Sequence, residues 1–119
     1  MKMTKLIENL EFYRGDTYCR NIVLENVKVP LDELYFSVRS TDKAKIFIQK
    51  KLGRGLEVVS YEDTTYRVLL TIEATDTDGM QADFEYFYDL ELISGKQKRT
   101  ILEGTIVLAT DYTRTRNEV

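Results

Sequence analysis

The chain has 119 residues, of which 43% are hydrophobic and 31% are charged, and its formal net charge is −3. These values are typical of one folded domain and exclude a largely disordered chain. Histidine is absent and Cys19 is the single cysteine, which excludes a histidine-activated nucleophile, an intrachain disulfide and a thiolate zinc site. The acidic balance gives nucleic-acid binding no global electrostatic support.

Two further classes are not expected. No apolar run approaches the ~20 residues that a membrane helix needs, and the N-terminal residues contain no apolar stretch long enough for a signal peptide. We expect a single domain over residues 1–119, with a frayed polar tail from about residue 110.

Apolar and polar residues alternate with period two along most of the chain, which is typical of half-buried strands. Turn residues such as Gly15, Gly53 and Gly95 separate these segments. Residues 75–82 are predicted to hold a short helical turn. Strands are predicted at residues 8–13, 17–25, 34–39, 44–50, 56–60, 65–73, 83–93 and 98–109. Seven or eight short strands with regular turns predict an all-β, immunoglobulin-like antiparallel β-sandwich.

The alternation also predicts which side chains face the core. One clear row begins at Phe84 and continues through the alternate residues Tyr86, Tyr88, Leu90 and Leu92. The residues expected to be most deeply buried are spread over four strands: Phe36, Val68, Leu70, Leu90, Ile106 and Leu108.

Charge is unevenly distributed along the chain. Residues 43–54 contain five basic residues and no acidic one, and residues 73–91 contain seven acidic residues and no basic one. Two interpretations remain open. The basic strand lies beside the acidic strand in one sheet, or the basic surface of one subunit meets the acidic surface of another. The second makes the following residues interface candidates: Lys43, Lys45, Lys50, Lys51, Glu85, Asp89 and Glu91.

Two short motifs have simple structural interpretations. Cys19 lies in a predicted strand and is expected to be a small buried side chain. Residues 14–16 spell the Arg-Gly-Asp tripeptide of adhesion proteins, but Gly15 is explained as the turn residue between two strands.

A partial calcium-binding pattern lies between two predicted strands. Asp76, Asp78, Gly79 and Glu85 fall at positions 3, 5, 6 and 12 of a calcium loop, but Ala74 occupies the first ligand position. We therefore expect a surface loop and no metal site. The paired carboxylates of residues 83–91 alternate on the solvent side of a strand, which does not favour a glycosidase pair.

Eight tyrosines give an alternative function. Exposed rings stack on sugars or anchor protein interfaces. A coplanar pair among Tyr35, Tyr61, Tyr66 and Tyr88 would favour a carbohydrate-binding β-sandwich module.

Five segments, taken in order, resemble a known family. They are FYRGDTY at residues 12–18, FSVR at 36–39, YFYDLEL at 86–92, TILEG at 100–104 and DYTR at 111–114. Their order and spacing resemble the N-terminal domain family of bacteriophage baseplate upper proteins and related prophage tail proteins.

This resemblance implies a β-sandwich that assembles into a bacteriophage tail or baseplate without catalysis and without a cofactor or metal. The expected partners are other tail or baseplate proteins and further copies of the chain, with no nucleic acid and no membrane. Assembly of the virion in the bacterial cytoplasm would keep Cys19 reduced.

Overall fold

The computed structural model describes residues 6–27 and 31–109, and this part of the chain forms nine strands. A 3-10 helix at Ala74–Thr77 occupies the segment predicted to turn. The predicted frayed tail lies outside the described residues. The strands are β1 Leu6–Ile7, β2 Leu10–Tyr13, β3 Tyr18–Leu24, β4 Glu33–Arg39, β5 Ile46–Leu52, β6 Gly55–Glu62, β7 Thr65–Ile72, β8 Glu85–Ser94 and β9 Gln97–Ala109.

The strands form two layers that are joined at one corner. The first layer runs from β1 and β2 through β9, β8 and β4 to β5, and the second contains β6, β7 and β3. Only two residue pairs connect β5 to β6, so the chain passes from one layer to the other there. The parallel pairing of β2 with β9 and the three-stranded second layer give the strand order of an immunoglobulin-like sandwich, which confirms the predicted fold class.

The core lies between the two layers and follows the predicted alternation. The six residues expected to be most deeply buried are all fully buried. They belong to one continuous apolar cluster that draws side chains from both layers. Each such side chain contributes roughly 1.5–3 kcal/mol of transfer free energy. Among the described residues, no helix is long and apolar enough to cross a membrane.

Two local departures from the alternation have identifiable causes. Phe84 was expected at the start of a core row, but it is 53% exposed and β8 begins one residue later. Asp83 has a left-handed backbone with φ of 59°, which turns Phe84 out of the strand pattern. In β9 the pairing with β8 shifts between Leu90 and Glu91, so that the adjacent residues Ile101 and Leu102 are both buried.

The prediction that Cys19 is buried is wrong, because Cys19 is exposed. In β3 the inward positions are occupied by Ile22 and Leu24, so the odd-numbered residues face outward. The Cys19 thiol lies 4.0 Å from the hydroxyl of Thr71 on β7.

Tyrosines on β8 take structural positions in the sandwich. The Tyr86 hydroxyl accepts a hydrogen bond from the backbone N–H of Gln81, at 2.7 Å, in the manner of the tyrosine corner of immunoglobulin-like domains. Tyr88, two residues further on, occupies the position where antibody domains place a disulfide cysteine. Its ring packs 5.5 Å from that of Phe36 on the neighbouring strand β4.

The first-strand edge is closely fitted to β9. Between β1 and β2, the carbonyl of Glu8 accepts a hydrogen bond of 2.6 Å from the Tyr88 hydroxyl. A Cβ atom on Gly104 would lie 1.9 Å from that carbonyl oxygen. Glycine is therefore required at position 104 by the close approach of the two strands. At the next residue, the Asn9 side chain accepts hydrogen bonds from the backbone N–H and the hydroxyl of Thr105.

Candidate interaction surface

The Arg-Gly-Asp segment forms the turn between β2 and β3 and is bound to its own chain. Gly15 has φ of 86°, which confirms its role as the turn residue. The Arg14 guanidinium donates hydrogen bonds to the carbonyls of Met80, at 2.7 Å, and Asp78, at 3.1 Å. The N–H of Gly15 donates to the Thr77 hydroxyl at 2.9 Å. These bonds give Arg14 a structural role in joining two loops.

Residues of the partial calcium pattern also make contacts within their own chain. One Asp76 carboxylate oxygen accepts the backbone N–H of Glu73 at 2.7 Å and lies 2.6 Å from the Lys50 ammonium. Glu85 belongs to strand β8. Among the described residues, no three side chains of metal-binding type converge on a common point.

The basic and acidic segments are not neighbouring strands. β4 lies between basic β5 and acidic β8, so the interpretation that placed the two strands side by side is wrong as regards strand order. The Lys50–Asp76 ion pair nevertheless joins the two segments across one end of the sandwich. The side chain of Lys50 is only 14% exposed.

Strand register separates the four candidate lysines. Lys51 is paired with Tyr35 and faces outward, whereas Lys50 is paired with the buried Phe36. Lys43 follows β4, and its ammonium lies 4.3 Å from the centroid of the Phe87 ring on the outer side of the sheet.

Lys45 lies off this outer surface. Its ammonium is 4.7 Å from the Phe47 ring, which packs edge-on against Tyr86 at the margin of the core. Lys43 and Lys51 are therefore the two candidate lysines that share the outer side of the first layer.

The outer side of β5, β4, β8 and β9 forms what we call the charged face. Its basic half lies on β4, β5 and the turn between them, and contains Arg39, Lys43 and Lys51. Its acidic half lies on β8 and β9, and contains Glu85, Asp89, Glu91 and Glu103. Glu33 lies at the end of β4, and Lys98 pairs with Glu91 at 3.2 Å. The face thus combines three of the predicted acidic residues with two of the predicted lysines.

The centre of the charged face holds charged atoms that lack partners. Within residues 6–27 and 31–109, the Nε atom of Arg39 and one carboxylate oxygen of Asp89 are buried without a hydrogen-bond partner. Burial, followed by the negative charge of Glu91, raises the pKa of Asp89, although Arg39 and Lys43 oppose the shift. An ionised carboxylate here is costly in the isolated domain because burial removes water and one of its oxygens has gained no hydrogen bond.

Sequence reasoning missed two members of this face. Arg39 could have been found, because it shares the parity of Tyr35 in a strand whose inward residues are evident. The outward side of Glu103 could also have been found, because Glu103 alternates with the apolar row of Leu102 and Ile106. Its position opposite Asp89 could not, because that depends on the β8–β9 register, which shifts at Leu90.

The tyrosines form no coplanar exposed pair within the described residues. Tyr88 is buried, and the Tyr35 hydroxyl donates to the Glu33 carboxylate at 3.2 Å. Tyr61 and Tyr66 are cross-strand neighbours whose ring centroids are 4.2 Å apart with planes inclined by 31°. Tyr66 packs against the core, whereas Tyr61 is 49% exposed, so the two rings do not form a flat exposed platform. Carbohydrate binding stays an untested prediction.

An open groove of about 630 Å³ crosses the outer side of β6 and β7. Its lining includes Leu52, Val58 and Leu69 together with the carboxylates of Glu57 and Glu73. Both glutamates are exposed, whereas an acid catalyst of the glycosidase type would sit in an apolar enclosure.

Comparisons with known proteins concern the fold. No family model and no curated protein matches the chain. Two solved structures are similar to it. One is the extracellular fragment of novel immune-type receptor 11 from Ictalurus punctatus, including its stalk region, with 10% identity, a TM-score of 0.41, and coverage of 93% of this chain and 89% of the other. The second is the ZIG-8–RIG-5 IG1–IG1 heterodimer, with 13% identity, a TM-score of 0.32, and coverage of 88% and 82%.

Proposed function

We propose that this protein is a non-enzymatic structural module of a bacteriophage or prophage tail or baseplate, acting through protein–protein contacts. The resemblance of the five ordered sequence segments supports the setting. The observation that carries the mode of action is the charged face, which presents basic residues on β4 and β5 beside acidic residues on β8 and β9 on one side of the sheet.

The electrostatics of this face favour a contact function. Asp89 and Arg39 contribute buried polar atoms without partners in the described part of the chain. A buried atom that has lost water and has no hydrogen bond destabilises a fold by roughly 1–3 kcal/mol. A partner that supplies an acceptor for the Arg39 Nε–H or a donor for the Asp89 oxygen recovers part of that energy on binding, and charge complementarity also selects the correct partner.

The proposed partners are other tail or baseplate proteins and further copies of the chain. The proposed setting is a virion component that assembles in the bacterial cytoplasm. Neither a cofactor nor a metal takes part in this function, which depends on surface shape and charge.

The test is to find the protein in particles. Phage or prophage particles from a bacterium that carries the gene are purified on a density gradient, and their proteins are identified by mass spectrometry. We expect the chain to co-sediment with tail and baseplate proteins and to disappear from particles when its gene is deleted, with loss of tail assembly. Complete tails that form normally without it would contradict the proposal.

A further inference from the structure

Strand β3 lies at the end of the strand order, on the second layer. Within residues 6–27 and 31–109 it pairs with β7 alone, so the other side of β3 presents main-chain N–H and C=O groups to no further strand. The pairing with β7 covers seven consecutive residue pairs without a shift, whereas the β4–β5, β6–β7 and β8–β9 pairings each contain one. We call this free side of Tyr18–Leu24 the β3 edge.

The β3 edge lacks most of the features with which proteins block pairing at an open edge. Such edges are commonly short or bulged, or they carry lysine, proline or an inward-pointing charge. β3 has seven residues, with no lysine and no proline, and its inward-pointing charge, Arg20, is paired with the Glu8 carboxylate of its own chain. The edge of the first layer differs, because Glu8 and Asn9 interrupt it between β1 and β2. The β3 edge is therefore suited to pairing with an added strand.

The sequence of β3 is complementary to a second copy of itself that runs in the opposite direction. A two-fold axis perpendicular to the sheet at Asn21 aligns all seven residues and makes each β3 the antiparallel neighbour of the other. The opposed side chains of the two copies are then Cys19 with Val23 and Asn21 with Asn21 on the outer side, and Tyr18 with Leu24 and Arg20 with Ile22 on the inner side. These pairs oppose no like charges, and the two Asn21 amides are able to hydrogen-bond to each other.

We infer that a second copy of this chain pairs with the β3 edge, forming an isologous dimer in which the two second layers become one six-stranded sheet. The order of that sheet is β6, β7 and β3 of one copy, followed by β3, β7 and β6 of the other. The inference rests on the proposed contact function and names the surface that binds a further copy of the chain. It leaves the charged face free for other partners.

The size of the contact defines the class of dimer. Seven opposed residues in an antiparallel pair exchange about six to eight main-chain hydrogen bonds. The edge is about 23 Å long, and contact along the margin of a sandwich about 20 Å thick buries roughly 900 Å² over both copies. This area is below that of standard interfaces, so the dimer is weak and depends on the main-chain hydrogen bonds. Because each copy uses its β3 edge in the pair, assembly through this edge stops at two copies.

The first test is disulfide cross-linking of the purified full chain. Cys19 is exposed and is the single thiol, and Val23 of the other copy lies opposite it in the proposed register. Opposed residues of an antiparallel pair have Cα atoms about 4.5–5.5 Å apart, which a disulfide can span. Val23→Cys should therefore form a covalent dimer when diamide is added as the oxidant, and peptide mass spectrometry should find Cys19 joined to the introduced cysteine.

Two controls accompany the cross-linking. The wild-type chain should not cross-link, because its two Cys19 residues lie four positions apart along the paired strands, about 13 Å. Val59→Cys makes the same substitution at a valine that is 61% exposed on β6, two strands from the β3 edge, and should form no specific covalent dimer. Equal cross-linking of the two cysteine variants, or a link between two introduced cysteines, would overturn the dimer.

The second test is sedimentation velocity over a range of micromolar concentrations. We expect a reversible monomer–dimer equilibrium that raised salt changes by less than about twofold, because main-chain hydrogen bonds join neutral groups. Asn21→Lys places two lysines opposite each other at the axis and should raise the dissociation constant by about fivefold or more. Gln49→Lys makes the same amide-to-lysine change at an exposed residue of β5 and should leave the constant within about twofold.

Urea unfolding of each variant establishes that the fold is retained. A wild-type chain that stays monomeric throughout, or equal effects of the two lysine substitutions, would overturn the dimer. The outcomes also separate this inference from the proposed function. A monomeric chain that is still found in tail particles rejects the dimer and leaves the tail function in place. A dimeric chain that is absent from particles has the reverse meaning.

Discussion

Two regions of the first layer differ in how their polar groups are hydrogen-bonded. One is the edge formed by β1, β2 and β9, and the other is the charged face. At the edge, the Glu8 carbonyl, the Tyr88 hydroxyl and the Asn9 side chain are all hydrogen-bonded. On the charged face, Arg39 and Asp89 hold buried atoms without partners in the described residues. Substitutions at the edge should therefore act on stability, whereas those on the face should act mainly on association.

The largest effect is expected at Gly104. Gly104→Ala places a methyl group 1.9 Å from the Glu8 carbonyl oxygen, so the first strand must move away from β9, at a cost of about 3 kcal/mol. Urea denaturation measures the change. Gly79→Ala is the control, because no atom lies near its Cβ position and its φ is not positive, and its effect should be within about 0.5 kcal/mol. Equal effects at the two glycines would contradict the close fit at the edge.

The next effect is expected at Tyr88. Tyr88→Phe removes the donor to the Glu8 carbonyl and should lower the free energy of unfolding by about 1 kcal/mol. Tyr13→Phe, at an exposed ring, should change it by less than about 0.5 kcal/mol.

Alkaline pH provides a second measure of the same hydroxyl. Burial, followed by the charge of Glu8, raises the pKa of Tyr88 to about 12 from the ordinary 10.0. The stability contributed by protonated Tyr88 is thus full below pH 10.0 and is lost as the pH rises through about 12. The difference between wild type and Tyr88→Phe should shrink over that interval. A difference that stays constant would contradict the assignment.

On the charged face, Asp89→Asn should stabilise the isolated domain at neutral pH. Burial raises the pKa of Asp89 above 3.8, so the folded state holds its proton more tightly than the unfolded chain does. The stability associated with that proton is full below pH 3.8 and is lost as the pH rises through the higher folded-state pKa. The neutral amide avoids this loss, and its advantage should disappear in acid. Urea titrations at neutral and acidic pH test the sign, and an equal gain at both would count against it.

The smallest effect on stability is expected at Lys43 on the charged face. Lys43→Glu alters an exposed side chain whose contact within its own subunit is with the Phe87 ring, so the free energy of unfolding of the monomer should change by less than about 1 kcal/mol. Thermal or urea unfolding measures it. A loss as large as that of Gly104→Ala would erase the distinction between edge and face.

The molecule also shows which strands and buried positions the sequence alone could predict. The alternation around Leu34, Phe36 and Val38 predicted a strand and its buried side correctly, because period-two burial is a local property of the chain. Short motifs with special backbone angles were less predictable. Asp83 adopts a left-handed conformation that removes Phe84 from the core, and residue type alone did not reveal it.

The candidate surface was predicted in part because it depends on pairing between distant strands. Lys50 and Lys51 are equivalent in composition, yet only register decides that one meets Asp76 and the other faces outward. In β3 the alternation likewise places Cys19 on the outside. The sequence did not predict this, because the neighbouring residues of mixed polarity give no clear inward row. Long-range register is set by turns, bulges and packing together.

The outward position of Cys19 gives the molecule a single chemical handle, because the chain has no other thiol. β3 belongs to the second layer, so the thiol lies on the opposite side of the sandwich from the charged face. A maleimide dye at this position would report binding at the charged face by energy transfer without touching that contact surface.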